Sequence, residues 1–298
     1  MSDNPNKPVE LSDDEKNLLV EKKATCPFIG SAIAQGKLRV RNDTKDPMAS
    51  IDDIRRLGNT GGGDLGDLLV LFASGNHARM RGETGKLDTP VPSGLFSLEF
   101  PGSQGSHPGH SGILQGDPGI LGSGRLSETD FGRLTSRAKD GLIKRSDVGR
   151  FIAENLLRDP KSKVFEKNTA ALLASDLVGF VHTTGSALMR KFFGSKEDAH
   201  ATHREMEEKL TKLLGEDNLV GSAGEFGLLF AFLANKPGAK EVDGEATVAV
   251  EDLTAMFVDK QLPGGWETWK KSRVDWVRNT TALLVSAGRE YLALKRTR

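Results

Sequence analysis

The chain carries a single cysteine, Cys26, which stands directly before Pro27 at a point that reads as the start of a helix. Proline is tolerated at the first helical position because the N–H it lacks would have no intrahelical partner there. With Thr25 or Cys26 as N-cap and Gly36 as the closing residue, the stretch Phe28-Ile29-Gly30-Ser31-Ala32-Ile33-Ala34-Gln35 is predicted to be helical. The sulfur then sits at the positive end of a helix, where unpaired N–H groups favour a thiolate and can keep a metal-bound one anionic. A small buried hydrophobe is the other role open to an isolated cysteine. Glu225 is the second residue of chemical interest, as the only acid in the apolar stretch from Leu219 to Leu233. A carboxyl in such surroundings holds its proton more tightly, as general acid–base work requires, although acids near helix starts also act as simple N-terminal charges. Phe226, Phe230 and Phe232 follow closely enough to line an apolar pocket, with helical spacing turning at least two of them into the core.

Other signals are weaker. One cysteine excludes an intrachain disulfide and a cysteine-based zinc centre. His107 and His110 share a glycine-rich loop, where an imidazole can move protons beside a cofactor or lie at the surface. His200 and His203, three apart in a charged segment, read as solvated, and His77 as a helix-end residue. An EF-hand-like trace from Ser136 to Asp147 has Ser136 and Ala138 where acidic ligands belong, so Asp140-Gly141 reads as a plain turn between helices.

The elements that position these residues are helical. Apolar spacings of three and four mark helices over about 50–58, 64–76, 127–137, 146–158, 168–193, 199–215, 222–235, 249–259 and 275–295. Strand content is expected only in short pieces such as Leu38 to Val40. The fold class is therefore all-α, a single multi-helix domain over residues 21–298 preceded by a loosely packed polar tail over 1–20. Pro90 to Gly124 has no helical periodicity and holds nine glycines. Leu95-Phe96-Ser97-Leu98-Glu99-Phe100 is too apolar for a free linker, so that part should be anchored on the core.

Composition narrows the class of partner. The 298 residues can bury a sizeable core, and 41 basic residues balance 41 acidic ones. That balance lacks the basic footprint of a nucleic-acid binder, and no apolar run approaches the roughly 20 residues that cross a bilayer. The start has neither the basic nor the apolar region of a secretory signal, so a cytoplasmic protein is expected.

In order along the chain, these pieces resemble the haem-thiolate peroxidases, the family of chloroperoxidase and the unspecific peroxygenases. Thr25-Cys26-Pro27 with Gly36-Lys37-Leu38-Arg39-Val40-Arg41-Asn42 is similar to the family's Pro-Cys-Pro helix and following turn. Gln115-Gly116-Asp117 resembles its Glu-Gly-Asp or Glu-His-Asp element, and Arg125 to Phe131 its Ser-Leu-x-Arg-x-Asp-Phe segment. Gly224-Glu225 with Leu228-Leu229 resembles its Gly-Glu helix, and Val250 through Trp266 its closing helix and Leu-Pro-x-x-Trp signature. Thr25 departs from the first proline, Gln115 from a glutamate that helps to bind magnesium, and Gly116 from a histidine.

The resemblance implies a peroxygenase-type helical fold holding b-type haem through Cys26, with Pro27 and Phe226 beside it. It implies that Glu225 moves the proton of hydrogen peroxide so that water leaves, and that a small organic substrate is oxidised or oxygenated. Asp117 would approach a haem propionate, with magnesium weakened by Gln115, and His110 would supply the imidazole missing at Gly116 if the loop folds back. A haem-thiolate protein without peroxide turnover and a haem-free helical interaction protein are the alternatives that the residues leave open.

Overall fold

The computed structural model describes residues 8–22, 24, 26–42, 47–58, 95–98, 126–158, 219–233 and 235–297. The helices are α1 (Asp13–Lys22), α2 (Pro27–Ala34), α3 (Ile51–Leu57), α4 (Glu128–Thr135), α5 (Arg145–Arg158), α6 (Leu219–Leu233), α7 (Val250–Phe257) and α8 (Arg273–Arg296), with a 3-10 turn at Trp266–Thr268. The strands are β1 (Arg41–Asn42), β2 (Pro47–Ser50), β3 (Leu95–Ser97), β4 (Leu142–Lys144), β5 (Glu241–Val242) and β6 (Glu245–Ala249). The described residues are thus mostly helical, as the apolar spacing predicts. The helices expected over 64–76, 168–193 and 199–215 lie outside the described residues.

Local chemistry accounts for the helix ends. At α1, the Ser12 hydroxyl accepts from the Glu15 N–H at 3.3 Å while the Glu15 carboxylate accepts from the Ser12 N–H at 2.8 Å, a reciprocal capping box. The helix therefore starts at Asp13, well inside the stretch expected as a loose tail, and it buries Leu19 and Val20. α2 takes Cys26 as N-cap with Pro27 in its first turn, and Gly36 follows its C-cap Gln35 in the left-handed conformation at φ 67°. α8 opens on Ser272, whose Oγ accepts from Val274 and Asp275, and closes on Lys295 and Arg296, which suit its negative end.

The main core lies where α8 packs along α5 and α6. Small residues allow the approach: a Cβ on Gly149 would press into Ser286, and one on Gly227 into Thr280. Phe151 of α5 and Phe226 of α6 fill the third side, edge to face at 6.2 Å.

Strands contribute more than the expected short pieces. Two three-stranded antiparallel sheets form, ordered β1-β2-β3 and β4-β6-β5. Neither contains Leu38 to Val40, where Val40 only accepts a backbone hydrogen bond from Val9. The second sheet depends on two tight turns, Asp140-Gly141 and Asp243-Gly244, in which both residues have positive φ. That is the type I′ geometry whose twist suits a hairpin. The register pairs Ile143 with Val248, both buried, so the sheet turns these side chains into the core. In the first sheet Leu95, Phe96 and Ser97 pair with Ser50, Ala49 and Met48, and Leu98 is fully buried. The apolar part of the long loop is therefore anchored, as expected.

Candidate functional site

Cys26 and Glu225 come from helices that meet through aromatic rings. On α6 the positions 222, 225, 229 and 232 recur at helical spacing and share one face, while Gly224 and Gly227 turn towards α8. Phe232 on the first of these faces lies 4.8 Å, centroid to centroid, from Phe28 on α2. Phe28 is two residues beyond Cys26, so the stripe bearing Glu225 is directed at the start of α2. Trp266 completes the cluster at 5.4 Å from Phe28 and 5.3 Å from Phe232. Each indole N–H has an acceptor: Trp266 donates to the Leu57 carbonyl, Trp269 to that of Phe232 and Trp276 to that of Gly224.

The electrostatics of the pair follow from burial. Glu225 is 4% exposed, and burial pushes its pKa up to about 8. The carboxyl thus holds its proton near neutral pH, as its apolar sequence context predicts. Cys26 behaves differently from the expectation of a ready thiolate. The residue keeps some exposure, yet its thiol is desolvated, and burial together with the nearby charge of Glu225 pushes its pKa up to about 12. The Phe28 and Ile29 amides and Lys260 act in the other sense and do not outweigh the loss of water. The helix terminus is real, but desolvation wins over it.

Lys260 was not visible as a site residue in the sequence. It follows α7 with φ 53°, a conformation that costs any side chain other than glycine roughly 1–2 kcal/mol. Its segment is tied along α2 at two points, where the Ser31 hydroxyl donates to the Met256 carbonyl at 3.2 Å and the Leu262 N–H to Gln35 Oε1 at 3.1 Å. Burial lowers the Lys260 pKa and the charge of Cys26 raises it. Lys271, also unnoticed, is 1% exposed between Trp266 and Trp269, with its Nζ 4.3 Å from each ring centroid. Its Nζ donates to the carbonyls of Trp266 and Trp269. Apart from the closeness of Trp266 and Trp269 to it, the sequence holds no signal for this cage.

Pro27 is buried in the first turn of α2. Phe226 sits on the α5 side of α6 against Phe151, about 100° around the helix from Glu225, and so lies apart from the Phe28 contact. His110 and Asp117 fall outside the described residues, as does Gln115. A cavity of about 370 Å³ lies away from the pair, beside β6 and α7, where Lys236 is salt-bridged to Asp252. On α4 and α5 the Asp130 carboxylate receives Arg133 at 2.7 Å and Arg158 at 2.9 Å, which hold its pKa below the usual range against the opposing effect of burial. That network ties the two helices together through Glu154, which takes Arg133 and Arg137.

The donor chemistry of the pair fits a thiolate-ligated haem. One sulfur stands at a helix start with two amides acting on it, and one protonatable carboxyl lies on the facing helix in an apolar setting. Among the described helices none is long and apolar enough to cross a membrane. Set against family models, curated proteins and solved structures, the chain matches none of them.

Proposed function

We propose that the protein is a haem-thiolate peroxidase or peroxygenase that uses hydrogen peroxide to oxidise or oxygenate a small organic molecule. The observation that carries this reading is a buried carboxyl, Glu225, that keeps its proton to about pH 8 and whose charge bears on the one thiol of the chain, Cys26 at the start of α2. Bound haem would supply an iron centre at which the O–O bond of peroxide is cleaved, favoured by electron density from a thiolate ligand. Cys26 would hold the iron, losing its proton on binding as any coordinating thiol does. The Phe28 and Ile29 amides offset part of the charge on the sulfur, which keeps the ligand anionic without making it too basic. Glu225, which keeps its own proton to about pH 8, would give that proton to one peroxide oxygen while its other carboxyl oxygen takes the proton of the second, so that water leaves and the carboxyl ends protonated again. Burial on the apolar helix α6 keeps bulk water from the carboxyl and so preserves its raised pKa. The finer assignments belong to the same proposal: a peroxygenase-type arrangement of helices, a cytoplasmic location, Asp117 near a propionate, His110 as a second proton carrier, and a magnesium ion weakened by Gln115.

Expression with haem supply tests the proposal. The purified chain is expected to carry about one haem per molecule with a Soret band and to consume hydrogen peroxide. A chain that folds, yet takes up no haem either in the cell or from added haemin, contradicts it.

A further inference from the structure

The two long sides of α8 differ in chemistry. Trp276, Leu283, Leu284, Ala287 and Tyr291 are buried on the side that packs against α5 and α6. The opposite side carries Val274, Arg278, Val285, Arg289, Leu292 and Arg296, whose spacings of three, four and seven residues set them in one line along the helix. At 1.5 Å per residue that line is about 33 Å long. Val274 is 70% exposed and Val285 49%, the three arginines are exposed, and Leu292 is half-buried. A single exposed valine is ordinary, but here apolar and basic side chains alternate over the whole helix. The two acids of α8 are turned to neighbouring elements instead. Asp275 accepts from Asn235 Nδ2 at 3.1 Å, and Glu290 faces Arg150 of α5 at 4.0 Å. Arg278 is shared with Asp275, whereas Arg289 and Arg296 form no ion pair among the described residues. A chain of zero net charge thus presents a line of positive charge on one side.

We propose that this outer side of α8 docks on an anionic lipid surface, with the helix lying along it. The arginines meet the lipid phosphates and carboxylates, while Val274, Val285 and Leu292 enter the interface between them. A helical protein partner binds through a hydrophobic groove that receives its apolar face. The line on α8 is the outermost edge of one helix, opposite its buried side, and its apolar residues are two short valines and one leucine. An anionic lipid surface needs no matching shape: it attracts each basic side chain by charge, and an arginine can keep its guanidinium among the headgroups with its stem against apolar groups. With so few apolar side chains the attachment is peripheral and reversible.

Co-sedimentation of the full chain with vesicles of phosphatidylcholine and phosphatidylserine, compared with vesicles of phosphatidylcholine alone, tests the docking. Binding is expected to the first kind only, and to fall as salt is raised and the exposed charges are screened. Changing Arg289→Gln and Arg296→Gln together should weaken it about thirtyfold, the effect of two basic side chains near such a surface. Val285→Ser should weaken it severalfold and leave the salt dependence as it is. Arg150→Gln, at a 53% exposed arginine outside the line, should bind as the unaltered chain does. The altered side chains are all exposed, so each variant should keep its helical circular dichroism. No sedimentation with phosphatidylserine vesicles overturns the proposal, as does equal binding by the double arginine variant. Capture of a glutamate-rich peptide without vesicle binding also overturns it, in favour of a protein partner.

Discussion

The ring of Phe232 lies 4.8 Å from that of Phe28, and this contact sets the helix of Glu225 against the helix of Cys26. Phe226, on the same helix, instead meets Phe151 at 6.2 Å on the α5 side. Truncating either ring removes a fully buried aromatic, which costs about 3–5 kcal/mol for a change to alanine. The gentler Phe232→Leu and Phe226→Leu changes separate the two roles. Phe232→Leu should disturb the haem spectrum and Phe226→Leu should leave it in place, as absorption spectra of both variants at equal haem supply would show.

Glu225 makes stability depend on pH in a direction opposite to that of most carboxylates. Its folded pKa of about 8 lies above the ordinary 4.5, so the folded state binds more protons between those values. Stability is then greatest below about pH 4.5 as far as this group is concerned, and it falls as pH rises through 8. Urea unfolding of the haem-free chain between pH 5 and 8 is expected to show that decline, and Glu225→Gln to flatten it. In the haem-loaded protein the same substitution should slow the reaction with peroxide by about 10²- to 10⁴-fold at unchanged haem content.

Much of this was open to sequence reasoning, and the exceptions have physical causes. The limits of α2 followed from Pro27 and Gly36, whose backbone restrictions act locally, and those of α5, α6 and α8 from apolar spacing. The sheet formed by β4, β5 and β6 was missed because its strands are too short for alternation to register. The Asp243-Gly244 pair, with positive φ at both positions, was the available signal for its hairpin. Within the stretch expected as a tail, Ser12 and Glu15 form a capping box that starts α1 at Asp13, a local signal that apolar spacing does not carry. Within the site, sequence proximity grouped Phe226 with Glu225, whereas the seven-residue spacing to Phe232 marks the shared face. Lys260 left no trace in the sequence because its partner Cys26 comes from a distant segment, whereas the cage of Lys271 is local and showed only as the closeness of Trp266 and Trp269.

Gly227 shows how close α6 and α8 run. Alanine is the better helix former by about 1 kcal/mol, yet a Cβ here would press into the Thr280 side chain and backbone. Gly227→Ala should therefore destabilise the protein by about 1–3 kcal/mol in spite of the propensity gain, measured by chemical denaturation.

Lys271 holds two carbonyls and two indole faces from a buried position. Lys271→Met keeps the stem but leaves both carbonyls without this donor, so a loss of about 1–3 kcal/mol is expected, with a shift in tryptophan fluorescence. Burial lowers the lysine pKa to about 8 from 10.5, so the unfolded chain binds more protons between those values. The contribution of this group to stability consequently rises with pH from 8 to 10.5, a gain that Lys271→Met should lack.

The ligation of haem by Cys26 is tested most directly by the absorption spectrum of the ferrous carbonyl complex, recorded for the unaltered chain and for Cys26→Ala with folding checked by circular dichroism. The unaltered chain should show the red-shifted Soret band of thiolate ligation, and Cys26→Ala should lose that band while staying helical. A band at the same position in both proteins, or no haem band in the unaltered chain after haem supply, contradicts the assignment.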